Sequence, residues 1–207
     1  YDEVLKIKPN NRFHFIGYEI DRNIISYLNG IDKRANLKLY NSDYLEARPG
    51  KCDGIICNPP YLRFQKFLNR HDVLPIIEKQ IGKKLTGYSN IASVFLVKAL
   101  NELNENGKLA FIMPFEFFNT GYGKEIKKSL LDDNLLKQIV IFLNEKEIFP
   151  NAITTVCLLL CKKDKIKEPI KITQIKSEDN LARVLNISNY YQKTIDPSDL
   201  PFNRKWT

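Results

Sequence analysis

The sequence predicts an α/β fold: a doubly wound, mostly parallel sheet that lacks its first strand and ends in an antiparallel hairpin. Short apolar runs suited to buried strands alternate with amphipathic stretches of helical period. Two of those runs are stopped by proline, which cannot donate to an interior ladder and sends the chain out of the sheet. The 207 residues are 43% hydrophobic with 9 Gly and 10 Pro, enough for one sizeable core and unlike a fibrous, disordered or disulfide-built protein.

Residues 1–8 carry Val4, Leu5 and Ile7 in the pattern of a last helical turn, ended by Pro9. Phe13 to Ile20 suits a buried strand. Asp21 then caps a helix bearing Ile24, Ile25 and Leu28 on one face before Gly30. Leu37 to Tyr40 is a second strand, leading to the polar turn Asn41, Ser42, Asp43. Asp53 to Cys57 is a third, closed abruptly by Asn58, Pro59, Pro60 and Tyr61. Leu62 to Gly87 is mixed and basic and reads as a loop with one short helix. From Asn90 a helix aligns Ala92, Phe95, Leu96, Ala99, Leu100 and Leu103 and stops at Gly107. Lys108 to Met113 is a strand halted by Pro114, Lys124 to Leu131 a helix entered through Gly121 and Gly123, and Gln138 to Leu143 another strand. Ile153 to Cys161 and Ile170 to Ile175, joined by the charged link Lys162 to Pro169, read as the hairpin. Beyond Glu178 the pattern weakens to one helical stretch at Leu181 to Leu185, followed by Tyr190 and Tyr191. The expected organisation is one domain over 1–176 and a linker over 177–207 leading towards another domain.

Lys+Arg exceeds Asp+Glu by 32 to 24, a net charge of +8 that suits a phosphate-backbone partner. Lysine makes up most of that excess, so an ordinary solvated surface is the competing reading. No apolar stretch approaches the roughly 18 residues a membrane span needs, and no basic-then-apolar leader opens the chain, which predicts a cytoplasmic protein with no membrane partner. Cys52, Cys57, Cys157 and Cys161 lie in apolar runs without a CxxC or a histidine cluster. They read as buried free thiols, and no metal is expected.

In open α/β sheets ligands bind beyond the carboxyl ends of the strands. Glu19, Asp43 and Asn58 fall at three such ends. An acid at the first can accept from both hydroxyls of a ribose, and an acid at the second from an adenine amino group. Simple capping of local turns is the competing role. Asn58-Pro59-Pro60-Tyr61 suits a harder problem, because a purine's exocyclic amino group is a poor nucleophile whose lone pair is delocalised into the ring. The Asn58 side-chain oxygen and the Pro59 carbonyl can each accept one of its N–H groups, drawing the nitrogen towards tetrahedral geometry. Two prolines fix these acceptors, and Tyr61 offers a face for the base. A proline-stopped strand end with a buried tyrosine is the alternative.

These features together resemble the N6-adenine DNA methyltransferases that depend on S-adenosylmethionine, in the class whose target recognition domain follows the catalytic domain. The likeness covers about residues 1–176. It rests on Gly17 to Asp21, Ser42-Asp43-Tyr44, the Asn58 to Tyr61 segment, Gly107 to Pro114, and Ile148-Phe149-Pro150. Nothing large separates Asp43 from Asn58, which excludes a recognition domain inserted there.

The resemblance implies a Rossmann-like methyltransferase from a restriction-modification system, acting on double-stranded DNA. Glu19 would hold the cofactor ribose, Ile20 would pack on its adenine, and Asp43 with the Tyr44 backbone would read the adenine edge. Asn58, Pro59, Pro60 and Tyr61 would act on the target base, with Phe149 stacking on its far face. Extrusion of that base follows, since adenine N6 lies inside the paired stack. Against the family pattern, no strand with a glycine-rich turn precedes Phe13. Two other readings stay open: a methyltransferase acting on a protein glutamine or an RNA guanine, for which the same tetrapeptide serves, and a non-catalytic DNA-binding fragment. No feature assigns an oligomeric state.

Overall fold

A computed structural model describes residues 13–31, 36–61, 70–82, 84–85, 91–119, 123–143, 155–176 and 191–206. They belong to two compact units, Tyr1–Gly50 and Lys51–Thr207. The predicted helix tail at residues 1–8 and the helical stretch at 181–185 lie outside the described residues.

The first unit contains strand β1 (Phe15–Glu19), helix α1 (Arg22–Ile31) and strand β2 (Leu37–Asn41). β1 and β2 pair in parallel, from Phe15 opposite Leu37 to Glu19 opposite Asn41. Asp21 caps α1 as its sequence predicts: its Oδ1 accepts the Asn23 N–H at 2.8 Å, and its carbonyl accepts that of Ile25 at 3.1 Å. The predicted apolar face is split. Ile25 is buried, Leu28 is half-buried and Ile24 is exposed.

The second unit runs β3 (Cys52–Cys57), α2 (Arg70–Ile81), α3 (Ile91–Glu102), β4 (Leu103–Pro114), a 3-10 turn (Phe115–Asn119), α4 (Gly123–Asp132), β5 (Leu136–Phe142), β6 (Val156–Lys162), β7 (Ile170–Ile175), β8 (Tyr191–Ile195) and a second 3-10 turn (Pro197–Asp199). Six strands form one sheet in the order β3-β4-β6-β5-β7-β8. β3, β4, β5 and β7 point one way, while β6 and β8 oppose them. The mostly parallel α/β expectation holds.

The hairpin expectation does not. β6 is antiparallel to β4 on one side and to β5 on the other, while β7 lies parallel to β5 and takes β8 as its antiparallel neighbour. The physical reason is apolar character on both faces: Cys157, Leu159 and Cys161 are buried on one, and Val156 is buried on the other beside half-buried Leu158 and Leu160, which suits a strand inside the sheet. The segment 177–207, expected as a linker, also differs in its described part. β8 joins the sheet, and Trp206 is buried against the Phe118 ring at 4.9 Å.

Two boundaries moved. α3 ends at Glu102, and β4 starts at Leu103 instead of Lys108. The register slips between Cys52 and Gly54, and Asn106 takes a φ of 63°, so the extra residues are absorbed in an irregular strand start. Gly107 is required there, because a Cβ would lie 2.8 Å from the Asn104 carbonyl oxygen. The one short helix expected between Leu62 and Gly87 is α2, a full twelve residues. It contains Pro75, which made it look shorter, and it is anchored by fully buried Val73 and Ile77 one turn apart. Gly123 does open α4 as expected, since a Cβ there would collide with the Phe117 carbonyl oxygen.

The core lies in this unit, built from Leu96, Ala99, Leu109, Phe111, Phe118, Leu130 and Leu159 among others. Within it Lys98 is buried, paired with Glu102 one turn on, and donates to Gln80 Oε1 at 3.1 Å, tying α2 to α3. All four cysteines are free, Cys157 and Cys161 buried, Cys52 and Cys57 half-buried. Burial pushes the Cys57 and Cys161 thiols up to about 12, which disfavours the thiolate that a metal would need. Among the described residues no three His, Cys, Asp or Glu side chains gather as a metal site, and no helix is long and apolar enough to cross a membrane.

Candidate active site

In the first unit the end of β1 is tied to the end of β2. Asn41 Nδ2 donates to the carbonyls of Glu19 at 3.0 Å and Ile20 at 3.1 Å, and the Ser42 N–H donates to the Glu19 carbonyl at 3.1 Å. Glu19 itself is half-buried and uses Oε1 to accept the Asp21 N–H at 2.8 Å. Oε2 has no hydrogen bond among the described residues. Asp43 follows the same plan: Oδ1 accepts the Leu45 N–H at 2.8 Å, and its carbonyl accepts the N–H groups of Glu46 and Ala47. The local capping role is therefore real for both acids, but it consumes one carboxylate oxygen of each.

The remaining oxygens stand at the ends of adjacent parallel strands, which lie about 4.8 Å apart. Ile20 beside them is 70% exposed and offers an apolar face. Tyr44 is half-buried with its ring 6.0 Å from that of Tyr18. Two carboxylate acceptors with a neighbouring apolar face fit the adenosine part of a nucleoside cofactor: the Glu19 oxygen suits a ribose diol and the Asp43 oxygen an adenine amino group.

In the second unit β3 runs parallel to β4, with Cys57 opposite Phe111, and the chain leaves the sheet at Asn58. A residue before proline is held extended, so Asn58 is exposed beyond the strand end while Pro59 is buried and anchors the turn. The Tyr61 hydroxyl donates to Asn58 Oδ1 at 3.0 Å. Burial and the nearby Cys157 and Cys57 thiols push the Tyr61 phenol up to about 12, so it stays a neutral donor. Its ring is 42% exposed and can present a face. The four residues thus lie together: an amide oxygen that accepts, two prolines at the turn, and an aromatic ring alongside.

Phe149 lies outside the described residues. Sequence reasoning missed Glu116, on the 3-10 turn after β4. Its Oε1 accepts the Thr155 N–H at 3.3 Å, the Phe115 N–H donates to the Thr155 carbonyl at 2.7 Å, and its charge helps raise the Cys157 thiol. The only sign in the sequence was a carboxylate directly after a proline-ended strand.

A family model described as Eco57I restriction-modification methylase matches residues 5–149. The Type II methyltransferase M.AccI of Acinetobacter calcoaceticus is 34% identical over 197 residues, covering 91% of this chain and 36% of that protein. Among solved structures, a class I S-adenosylmethionine-dependent methyltransferase of Listeria monocytogenes matches with a TM-score of 0.70 over 90% of this chain and 57% of that one, at 18% identity. The methyltransferase subunit of a type I restriction-modification system of Streptococcus thermophilus matches with a TM-score of 0.67 over 93% of this chain and 47% of that one, also at 18% identity. Both structural likenesses bear on the fold, a Rossmann-like α/β sheet. The chain spans about a third of the length of the curated relatives it matches.

Proposed function

Because the chain belongs to the Eco57I restriction-modification methylase family, we propose that it carries catalytic residues of a DNA methyltransferase that modifies the N6 amino group of an extruded adenine. S-adenosylmethionine, when bound, supplies an electrophilic methyl group. Glu19 accepts from its ribose hydroxyls, Ile20 covers a face of its adenine, and Asp43 with the Tyr44 backbone reads the adenine edge.

One observation carries the reading of the target: Asn58 is exposed at the carboxyl end of β3 with its Oδ1 aimed at the Tyr61 hydroxyl, 3.0 Å away. An amide oxygen has two lone pairs, so Asn58 can accept an adenine N–H beside, or in place of, the phenol. The Pro59 carbonyl accepts the second N–H. Both hydrogen bonds strengthen as the amino nitrogen gains positive charge, so they favour the transition state over the bound base. Neither group removes the proton: once the nitrogen carries the methyl group it is a strong acid and releases its extra proton to water, so none of the four residues needs to act as a general base. The Tyr61 ring, with Phe149 on the far face, offsets the loss of base stacking by about 1 to 3 kcal/mol per aromatic contact.

The test is single-turnover methyl transfer to duplex DNA, with N6-methyladenine quantified after nucleoside digestion. The parent, taken as the full protein that carries this chain, is expected to form it, and Asn58→Ala to slow the chemical step by at least about 100-fold with an unchanged melting temperature. A rate within tenfold of the parent removes Asn58 from its role. Methyl incorporation into protein glutamine or RNA, with none into duplex DNA, replaces the substrate.

A further inference from the structure

We infer that the exposed face formed by Lys124, Lys128, Arg204 and Lys205 grips the sugar–phosphate backbone of duplex DNA; this rests on the DNA reading above and adds a contact surface to it. The surface is built by two segments about 80 residues apart. Trp206 is buried and stacks on Phe118 with the rings inclined at 19°. Its backbone N–H donates to Asn119 Oδ1 at 3.1 Å and its indole N–H to the Pro201 carbonyl at 3.3 Å. Lys127, also buried, donates to the carbonyls of Phe118 and Arg204, and burial lowers its pKa. Residues 201–206 are thereby held against α4 and the 3-10 turn before it, and the Trp206–Pro201 bond closes the segment on itself.

The segment brings its cations to those of α4. The Lys124 and Lys128 ammonium groups stand 5.7 and 6.0 Å from the centre of the Phe202 ring, one turn of helix apart, so both gather over one side chain. Lys124, Lys128, Arg204 and Lys205 are all exposed. Among the described residues none of them has a carboxylate partner. Four other lysines of this unit do meet carboxylates: Lys137 and Lys162 share Asp164 at 2.8 and 2.9 Å, Lys84 meets Glu78 at 3.0 Å, and Lys98 meets Glu102. Four uncompensated cations held together by a buried aromatic anchor cost the folded chain self-repulsion, and a polyanion relieves it.

Location and chemistry select the polyanion. α4 follows the 3-10 turn that begins where β4 ends, so Lys124, its second residue, starts at the same end of the sheet as Asn58. Phe202 is only half-buried under the lysines, and none of the large exposed apolar side chains among the described residues belongs to this face. A surface with nothing to insert into a bilayer, and with three lysine point charges beside one guanidinium fork, suits phosphates on a duplex.

The experiment compares the parent with the combined variant Lys124→Gln, Lys128→Gln, Arg204→Gln, Lys205→Gln, titrating labelled duplex DNA by fluorescence anisotropy from about 50 to about 200 mM salt. Each lost phosphate contact lowers the slope of log affinity against log salt by about 0.9, so the slope is expected to flatten by about 3 to 4, with affinity at least tenfold weaker. The side chains are exposed, and an unchanged melting temperature excludes misfolding. A slope equal to the parent's overturns the inference alone. A parent that binds no duplex at all overturns the DNA reading together with it. A parent that prefers vesicles containing phosphatidylserine to duplex DNA, with the preference lost in the variant, assigns the face to membranes and overturns it as well.

Discussion

Glu19 and Asp43 stand at the ends of a two-stranded ladder with exposed Ile16, Ile24, Tyr27 and Tyr40 around it, whereas Asn58 leaves a six-stranded sheet whose interior strands supply much of the buried core. The first region sets its side chains by hydrogen bonds spanning two residues, Asp21 to Glu19 and Leu45 to Asp43. The second sets them by packing between residues far apart in sequence, Phe118 on Trp206 and Cys57 beside Phe111. Groups placed locally tolerate changes in their surroundings, while groups placed by a core depend on it.

The largest test of this contrast is truncation on each side. Phe118→Ala removes a fully buried ring and is expected to cost about 3 to 5 kcal/mol in urea denaturation. Ile16→Ala, at a side chain 47% exposed, is expected to cost less than about 1 kcal/mol. A comparable loss at both would break the comparison.

A matched pair of glycines sharpens it. A Cβ on Gly107 would face only backbone, 2.8 Å from the Asn104 carbonyl oxygen and 3.1 Å from that of Cys52, so Gly107→Ala is expected to cost about 1 to 3 kcal/mol. A Cβ on Gly17 would meet a terminal methyl of Leu39 at 2.7 Å, which can turn aside, so Gly17→Ala is expected to cost roughly 1 kcal/mol or less. Thermal melts of the two variants decide the order.

Alkaline pH is the gentlest probe and acts on the second region, which holds all four cysteines. The Cys161 thiol is raised from 9.0 to about 12 by burial, so the folded chain keeps a proton that the unfolded chain releases. Its stabilisation is complete below about pH 9 and is lost as pH rises from there towards 12. Cys57 and Tyr61 add the same sign. Cys161→Ala should make the fall in stability between about pH 9 and 11 shallower, by at most about 1.4 kcal/mol per pH unit, as read from urea midpoints. An unchanged slope would mean that the thiol titrates normally when folded.

Local chemistry in the sequence made several of these features legible. Pro60 and Pro114 marked two strand ends, Asp21 a helix cap, and the apolar runs the strands themselves. Asn58 to Tyr61 could be read as a unit because its four members are contiguous. Pairing was harder to read. The charged link after Lys162 imitates a hairpin turn, and only the unbroken apolar character of Val156 to Cys161 hinted at an interior strand. Pro75 obscured the length of α2, whose anchors Val73 and Ile77 become informative only once a neighbouring helix exists to bury them. Trp206 and Phe118 are 88 positions apart, and no local pattern links them.

The central position of β6 also orders the birth of the sheet. Among the described residues no ladder joins the β3–β4 pair to the β5–β7 pair except through β6. During synthesis the earlier strands emerge first, yet the two halves cannot be zipped together until residue 162 has left the ribosome. Such late, non-local closure slows folding and leaves the edges of β4 and β5 open to foreign strands in the interval. Once closed, β6 has ladder partners on both sides, so its amides can exchange with solvent only when the whole sheet opens.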